Sequence, residues 1–385
     1  MIWRNKTAGA APARALVTPA ADFWLMGGAG VITFLICVAL WRQWPEHGDD
    51  FKYKISVMAT YIAFLVNFPH FAYSYLLFYP GYAGRLTGTE TTLTSKIRLL
   101  VAGIIVPFAM VVFFVNAFHT EGTKLLAWGV IAMGFTVGWH YVKQGYGALI
   151  TLSVYKNVFY NDWEKRALYV NGYMVWIYTW CRTNSNTGVQ TYYDITYDVA
   201  AYPEWLVTGT LVLSLVSTAV AGGVLLKHWL YDRKGISANG VIGYFASIYL
   251  WVMLPYMNDG FFIFIPLFHS LQYLPFVYKY KKSELTRQLH APEGDPKKTR
   301  RRAFAWITVF TLAGVALGAL FLRFIPDYID AHPWTVTGNP VQLLGLDQQF
   351  FIIAFIVFIN VHHFFIDSAF WRRDNAKVQQ YLFRA

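Results

Sequence analysis

Four histidines occupy apolar segments that are long enough to cross a membrane: His70, His140, His269 and His362. Each lies nine to eleven residues before the C-terminal end of its segment, a depth of about 15 Å at 1.5 Å per residue. An imidazole in hydrocarbon is unfavourable unless it is paired, hydrated or bound, so ionisable residues in membrane segments are functional candidates. Four imidazoles at one depth predict a metal site.

The ligand type narrows the choice of metal. Neutral imidazole suits iron, copper, zinc or nickel, whereas magnesium and calcium prefer oxygen. Four nitrogen ligands without a carboxylate would leave positions on octahedral iron for dioxygen or substrate, so we favour mononuclear Fe(II), with dinuclear iron as an alternative. His363 is the fifth candidate ligand. It follows His362 but points about 100° away on a helix, so one of the pair should play a supporting role, and we prefer His362 as the ligand.

Three polar residues lie about one helical turn after these histidines and are the candidate catalytic residues. Gln144 is four residues after His140, Tyr273 is four after His269, and Asp367 is five after His362. Such groups can orient the second ring nitrogen of a ligand, and a carboxylate can raise its basicity. Tyr273 could also donate a proton or bind the metal itself.

The composition is that of a membrane protein. Of 385 residues, 56% are hydrophobic and 14% are charged, far from ordinary soluble usage. Windows of about 20 residues predict an all-α polytopic protein with about ten transmembrane helices. The segments are 22–41, 53–80, 97–117, 124–150, 167–183, 203–231, 238–256, 260–280, 303–325 and 350–371.

Charge predicts the orientation of these segments, since Lys and Arg are retained on the cytoplasmic side. Basic loops alternate with acidic ones along the chain, and the largest basic block is 279–302. We therefore predict a cytoplasmic N-terminal segment (1–21), one transmembrane domain (22–371) and a cytoplasmic C-terminal tail (372–385). We expect the protein in the cytoplasmic membrane. The four histidine-bearing segments then all run from outside to inside.

The net charge of +11 is explained by this topology and by contact with anionic membrane lipids. No nucleic-acid-binding module is recognisable, so nucleic acid is not an expected partner. The 279–302 loop could dock a soluble partner, although a solvated basic loop is the better explanation. Cys37 and Cys181, on different predicted helices, offer neither a disulfide framework nor a CxxC motif.

The surroundings of the histidines resemble a known family. The stretches are Asn67-Phe68-Pro69-His70, Trp139-His140-Tyr141, Phe268-His269-Ser270 and Val361-His362-His363-Phe364-Phe365-Ile366-Asp367. In order and context they are similar to the histidine-bearing helices of the Brp/Blh-type carotene dioxygenases, which are integral membrane, iron-dependent enzymes that cleave β-carotene to retinal. The resemblance implies that His70, His140 and His269 bind iron, with His362 at the late histidine of the family pattern.

The chain also departs from that family. Tyr273 stands where the family has a second histidine four residues after the first, and the chain carries extra helices and the His362-His363 doublet. The expected function is therefore a membrane-embedded non-haem iron oxygenase that oxidises or cleaves a lipophilic substrate of carotenoid, isoprenoid or fatty type with dioxygen.

Two other classes remain open from the sequence. A bis-histidine haem protein would use the same residues for electron transfer, and a transporter would use them as a proton relay. A dinuclear hydroxylase or desaturase is a nearer alternative, but its usual HxxxH or HxxHH spacings do not occur in the chain. The sequence does not indicate an oligomeric state.

Overall fold

The computed structural model describes residues 15–43, 50, 53–54, 57–58, 61–89, 91–119, 123–185, 188–192, 195–199, 201–232, 235–253, 264–289, 296–332 and 350–383. Within these residues the chain is helical except for one antiparallel hairpin, in which β1 (Gly188–Tyr192) pairs with β2 (Ile195–Val199). The prediction of an all-α architecture is confirmed for this part of the chain.

The helices are, in chain order, α1 (Pro19–Phe23), α2 (Ala29–Gln43), α3 (Phe68–Phe78), α4 (Tyr82–Thr87), α5 (Leu93–Leu100), α6 (Val106–His119), α7 (Thr123–Tyr155), α8 (Asp162–Thr183), α9 (Glu204–Tyr231), α10 (Ala238–Met253), α11 (Phe264–Leu289), α12 (Pro296–Ala319), α13 (Ile325–Ala331), α14 (Phe350–Phe370) and α15 (Ala376–Val378). Five-residue π-helical segments extend or join several of them: Trp24–Gly28, Ala63–Asn67, Val101–Ile105, Leu320–Phe324 and Gln379–Phe383. π-Helical turns occur often beside functional sites, and here Ala63–Asn67 leads directly into α3, which carries His70.

Six helices of the described chain are long and apolar enough to cross a membrane: Pro19–Leu40, Leu93–His119, Leu125–Tyr155, Glu204–Tyr231, Lys298–Ala331 and Phe350–Phe370. The protein is therefore an integral membrane protein by the length and composition of its helices. Helix α10 is apolar but shorter, and segment 53–80 lies partly outside the described residues. The count of about ten crossings stays a prediction, as do the orientation and the membrane.

The basic block 279–302 is more ordered than a loop. Helix α11 continues to Leu289 and α12 begins at Pro296, so residues 290–295 alone lie outside the description. Lys, Glu, Leu and Arg are good helix formers, and an ion pair of 2.6 Å between Lys281 and Glu284 lies on the α11 extension. The membrane-length window therefore ended the helix too early, because the helix continues beyond the apolar segment.

A buried carboxylate fixes α8 against α9. Glu164 closes a capping box with Asn161, and its carboxylate lies 2.8 Å from Lys227 Nζ and 3.1 Å from His228 Nε2. Burial raises the pKa of this carboxyl. The hydrogen bonds from Lys227, the Asn161 backbone and His228 together lower the pKa by more than burial raises it, so the pKa lies below its ordinary value. The carboxylate is therefore held ionised at the start of α8.

Two of the helices that carry the histidines, α3 and α7, pack closely against neighbouring helices through small residues. A Cβ at Gly318 of α12 would lie 2.4 Å from the Phe68 carbonyl oxygen, which is two residues before His70. A Cβ at Gly145 of α7 would lie 2.6 Å from Ser247 Cβ on α10. Such close approach is typical of membrane helix pairs, whose association depends on van der Waals packing rather than on the hydrophobic effect.

Gly145→Ala should therefore destabilise the protein, whereas Gly147→Ala on the same helix should not. The added methyl at Gly145 meets Ser247, and overpacking of this kind costs about 1–3 kcal/mol, which exceeds the helix-propensity gain of roughly 1 kcal/mol. At Gly147 a Cβ meets nothing within 4 Å. Thermal denaturation in detergent measures both variants, and equal midpoints would contradict the packing.

Candidate metal centre

Four histidines from four helices converge on one point. His70 lies on α3, His140 on α7, His269 on α11 and His363 on α14, and one nitrogen of each lies within 4.8 Å of the others. All four are buried, with at most 4% of the residue surface exposed. His140 is the middle residue of the span Leu125–Tyr155, which places the cluster at mid-helix depth. The predicted convergence of histidines therefore occurs, with His363 in the fourth position.

The facing nitrogens cannot satisfy each other. His140 Nε2 lies 3.0 Å from His269 Nε2 and 3.2 Å from His363 Nε2. A neutral imidazole carries one N–H proton, so at most one of these two contacts is a hydrogen bond donated by His140. His70 Nε2 is buried without a hydrogen-bond partner among the described residues. Buried polar atoms without partners are rare, and a cation would satisfy all four nitrogens together.

The dimensions fit a single ion. Metal to imidazole bonds of about 2.0–2.1 Å place two nitrogens on one metal roughly 2.9–4.1 Å apart, depending on the angle between the bonds. The shortest separations of 3.0 and 3.2 Å fall in that range, and the largest, within 4.8 Å, requires a small inward shift. A planar macrocycle does not fit between nitrogens that are already 3.0 Å apart.

His362 faces away from this cluster. Its Nδ1 lies 3.0 Å from the Tyr75 hydroxyl, and its Nε2 lies 2.9 Å from the Ala102 carbonyl oxygen. The preference for His362 over His363 is therefore corrected, because the rotation of about 100° between consecutive helical residues turns His363 inward. Both residues are buried, at 2% and 0% exposure respectively, so burial alone does not distinguish them.

A directed hydrogen-bond chain fixes the tautomer of His363. The Tyr273 hydroxyl donates to Asp367 Oδ1 at 3.2 Å and accepts from the Trp371 indole N–H at 3.1 Å. Ser74 Oγ, 2.7 Å from the Tyr273 oxygen, then donates to Tyr273 and accepts from His363 Nδ1, which lies 2.8 Å away. With its proton on Nδ1, His363 presents the Nε2 lone pair to the cluster, as a metal ligand must.

His70 is oriented in the same way. Ser270 Oγ donates to Asn67 Oδ1 at 2.7 Å, so its oxygen is free to accept from His70 Nδ1 at 3.2 Å. The Nε2 lone pair of His70 is therefore directed into the cluster. Two imidazoles on different helices thus share one arrangement, in which a serine hydroxyl holds the Nδ1 proton and the opposite nitrogen is left for a metal.

The three predicted supporting residues lie at different distances from the ligands. Tyr273 and Asp367 reach His363 through Ser74, and Asp367 Oδ2 also lies 3.6 Å from His363 Nε2. Gln144 does not contact an imidazole nitrogen. Its amide donates to the His269 carbonyl oxygen at 2.8 Å and to Gln272 Oε1 at 3.1 Å, so it fixes the backbone of a ligand rather than its ring.

Aromatic rings cover two of the imidazoles. Tyr141 stacks on His269 with ring centroids 3.7 Å apart and an angle of 4° between the planes. Phe364 stacks on His140 at 4.7 Å. These contacts hold the rings in place and exclude water from their faces.

The prediction from sequence missed Ser74 and Ser270. The signal that pointed to Gln144 and Tyr273 also applies to Ser74, which lies four residues after His70. Ser270 directly follows His269 but serves His70 on another helix, a relationship that only the packing of α3 against α11 creates.

Comparisons with known proteins add no identification: no family model, no curated protein and no solved structure matches this chain.

Replacing His363 and His362 one at a time should show which of the two residues binds the metal. His363→Gln removes one of four converging nitrogens and should weaken metal affinity by more than the roughly 10–100-fold typical of outer-shell changes. His362→Gln should leave the affinity unchanged, since its nitrogens face Tyr75 and Ala102. Competitive titration of purified protein with a chelator measures both, and equal losses would contradict the assignment.

Ser74→Ala should lower metal affinity by about 10–100-fold, because the His363 Nδ1 proton then has no acceptor and the ring is free to reorient. Ser214→Ala is the matched control, since this buried hydroxyl bonds only to the Leu211 carbonyl of its own helix. The same chelator titration applies. An unaltered affinity in Ser74→Ala would show that the hydrogen-bond chain does not position the ligand.

Proposed function

We propose that this protein is a membrane-embedded non-haem iron oxygenase that acts on a lipophilic substrate with dioxygen. The observation that carries the proposal is the buried cluster of His70, His140, His269 and His363, whose nitrogens lie within 4.8 Å of one another. Four imidazoles without a carboxylate in the group suit a transition metal rather than magnesium or calcium. Mononuclear Fe(II) is the form we favour, because the cluster has the dimensions of one ion.

The side chains around the site would have different roles. The four histidines hold the metal, and bound iron would supply dioxygen activation at positions that the imidazoles leave open. Ser74 and Ser270 keep the Nδ1 protons in place, and Tyr273 connects His363 to the Asp367 carboxylate. The rings of Tyr141 and Phe364 exclude water, which protects reactive intermediates from side reactions.

A lipophilic substrate follows from the depth of the cluster. A site near the middle of a membrane span is reached most directly from the lipid by an apolar molecule, and dioxygen partitions favourably into hydrocarbon. The similarity of the four histidine stretches to the carotene dioxygenases supports the same class of reaction. The carotenoid, isoprenoid and fatty classes all meet these requirements.

A proton relay in a transporter is the second candidate. The observation that favours it is the continuous chain from His363 through Ser74 and Tyr273 to Asp367. A relay needs proton-carrying side chains along the whole path and no stoichiometric metal. The nitrogens that face one another in the cluster favour the metal centre. A haem protein is disfavoured by the 3.0 Å separation of His140 and His269.

Elemental analysis, together with nitric oxide as a probe for open iron positions, tests the oxygenase. We expect about one iron per chain, no Soret band, and a paramagnetic nitrosyl signal after anaerobic reduction and exposure to nitric oxide. The four single His→Gln variants of the cluster should lose iron and signal, and His362→Gln should keep both. Oxygen uptake is then measured with β-carotene, squalene and oleic acid as substrates.

Two outcomes would overturn the proposal. Full iron content after all four cluster histidines are replaced would show that the cluster is not the iron site. Wild-type protein without stoichiometric metal, but with proton flux across vesicles that Asp367→Asn abolishes, would establish the relay instead.

A further inference from the structure

A lysine lies beside the histidine cluster inside a membrane span. Lys143 is three residues after His140 on α7, within Leu125–Tyr155, so it is displaced by about 4.5 Å along the helix axis. Residues three apart are neighbours on a helix surface. A charged residue near the bilayer centre is costly, and such residues usually mark a pathway, a pair or a ligand.

The lysine side chain does not extend toward the C-terminal end of its helix. Its Nζ lies 3.9 Å from the ring centroid of Trp139, which is four residues earlier, and 2.8 Å from Ser368 Oγ on α14. A lysine that served only topology would snorkel toward the interface. Lys143 instead contacts Trp139 and Ser368, so its ammonium is held between α7 and α14.

No carboxylate neutralises this ammonium within the described parts of the chain. The other charged groups that act most strongly on Lys143 are Arg372 and Arg98, both positive. The acid between those arginines is Asp374, 3.0 Å from Arg98 and 3.6 Å from Arg372. Asp374 is thus occupied by the two arginines, and Asp367, the residue before Ser368, accepts from Tyr273 instead. Among the described residues the Lys143 ammonium therefore has no ion-pair partner of its own.

The walls around Lys143 are apolar and partly open. Trp139 packs against Phe365 of α14, with ring centroids 5.3 Å apart, and Trp139, Lys143, Phe365 and Ser368 are all only partly buried. The seam between α7 and α14 thus has aromatic rings beside an unpaired ammonium. This arrangement complements a molecule with an anionic head and a hydrocarbon chain.

We propose that Lys143 binds the carboxylate head of a single-chain fatty acid, whose hydrocarbon lies against Trp139 and Phe365 at the seam of α7 and α14. As a substrate site this rests on the proposed oxygenase function, and it selects the fatty class among the three. A carotenoid or a hydrocarbon isoprenoid has no group for the ammonium. Because Lys143 and His140 are neighbours on one helix, the carbons next to the carboxylate would lie closest to the cluster.

Binding of a brominated fatty acid tests this site without any catalytic readout. Dibromostearic acid quenches tryptophan fluorescence at short range. Because the chain has 15 tryptophans, the part of the quenching that the Trp139→Phe variant loses reports the arrival of the acid at this site. The protein is reconstituted in discs of zwitterionic lipid and titrated with the acid and with the matching dibromostearyl alcohol. We expect the wild type to bind the acid at least tenfold more tightly than the alcohol.

Four variants locate the interaction. Lys143→Met should weaken acid binding at least tenfold and leave alcohol binding unchanged, and Lys143→Arg should retain acid binding. Lys156→Met, one residue beyond the end of α7, is the matched control, because Lys156 donates to the Ile236 carbonyl oxygen. This variant should bind the acid as the wild type does. Titration of the Trp139→Phe variant should show reduced quenching.

Equal binding of acid and alcohol to the wild type overturns the proposal without any variant, as does unchanged acid binding in Lys143→Met. Displacement of the acid by anionic phospholipid at equal concentration would assign the ammonium to a membrane lipid and also overturn it. Iron content, measured in the same samples, keeps the two proposals separate. Metal-free protein that still selects the acid would contradict the oxygenase alone, and iron-loaded protein without selectivity would contradict the fatty-acid site alone.

Discussion

The structure depends on the burial of four neutral imidazoles whose lone pairs face one another. The nitrogens of His269 and His363 lie about 3 Å from His140 Nε2, and the single N–H proton of a neutral His140 can satisfy at most one of them. In hydrocarbon no water compensates, so a polar group without a partner is costly. A bound cation turns the same arrangement into a favourable one, and the surrounding contacts hold the imidazoles in the orientation that a cation requires.

The supporting contacts follow from that constraint. A lone pair directed inward requires a proton on the opposite nitrogen and an acceptor for that proton, and Ser270 and Ser74 provide acceptors for His70 and His363. The serines are themselves held by Asn67 and by Tyr273, whose proton is accepted by Asp367. Polar residues that would otherwise be unfavourable within a membrane protein thus satisfy one another. The network also orients the imidazoles of His70 and His363 toward the centre of the cluster.

The same depth that makes the cluster costly also determines what can reach it. For the proposed function, apolar molecules and dioxygen would enter from the lipid. The partly open seam between α7 and α14 carries Lys143 and Trp139 on the same helix as His140. A positive charge at this position can bind an anionic head group, which a pure hydrocarbon substrate does not have. The buried cluster and the partly exposed lysine therefore lie close together on α7, and in the two proposals the first would bind the metal and the second would bind the head of the substrate.

The sequence by itself determined the membrane character of the chain, the helical class and the presence of histidines at one depth, because length and hydropathy do not depend on packing. The tertiary structure decided that His363 rather than His362 faces the cluster. Most of α14 is apolar, so hydropathy alone did not choose between the two histidines, although Asp367, four residues after His363, lies on the same face as that residue. The rotation of the helix is set by its contacts with α3 and α7. Packing also assigned Ser270 of α11 to His70 of α3, since partners on different helices have no fixed spacing in sequence.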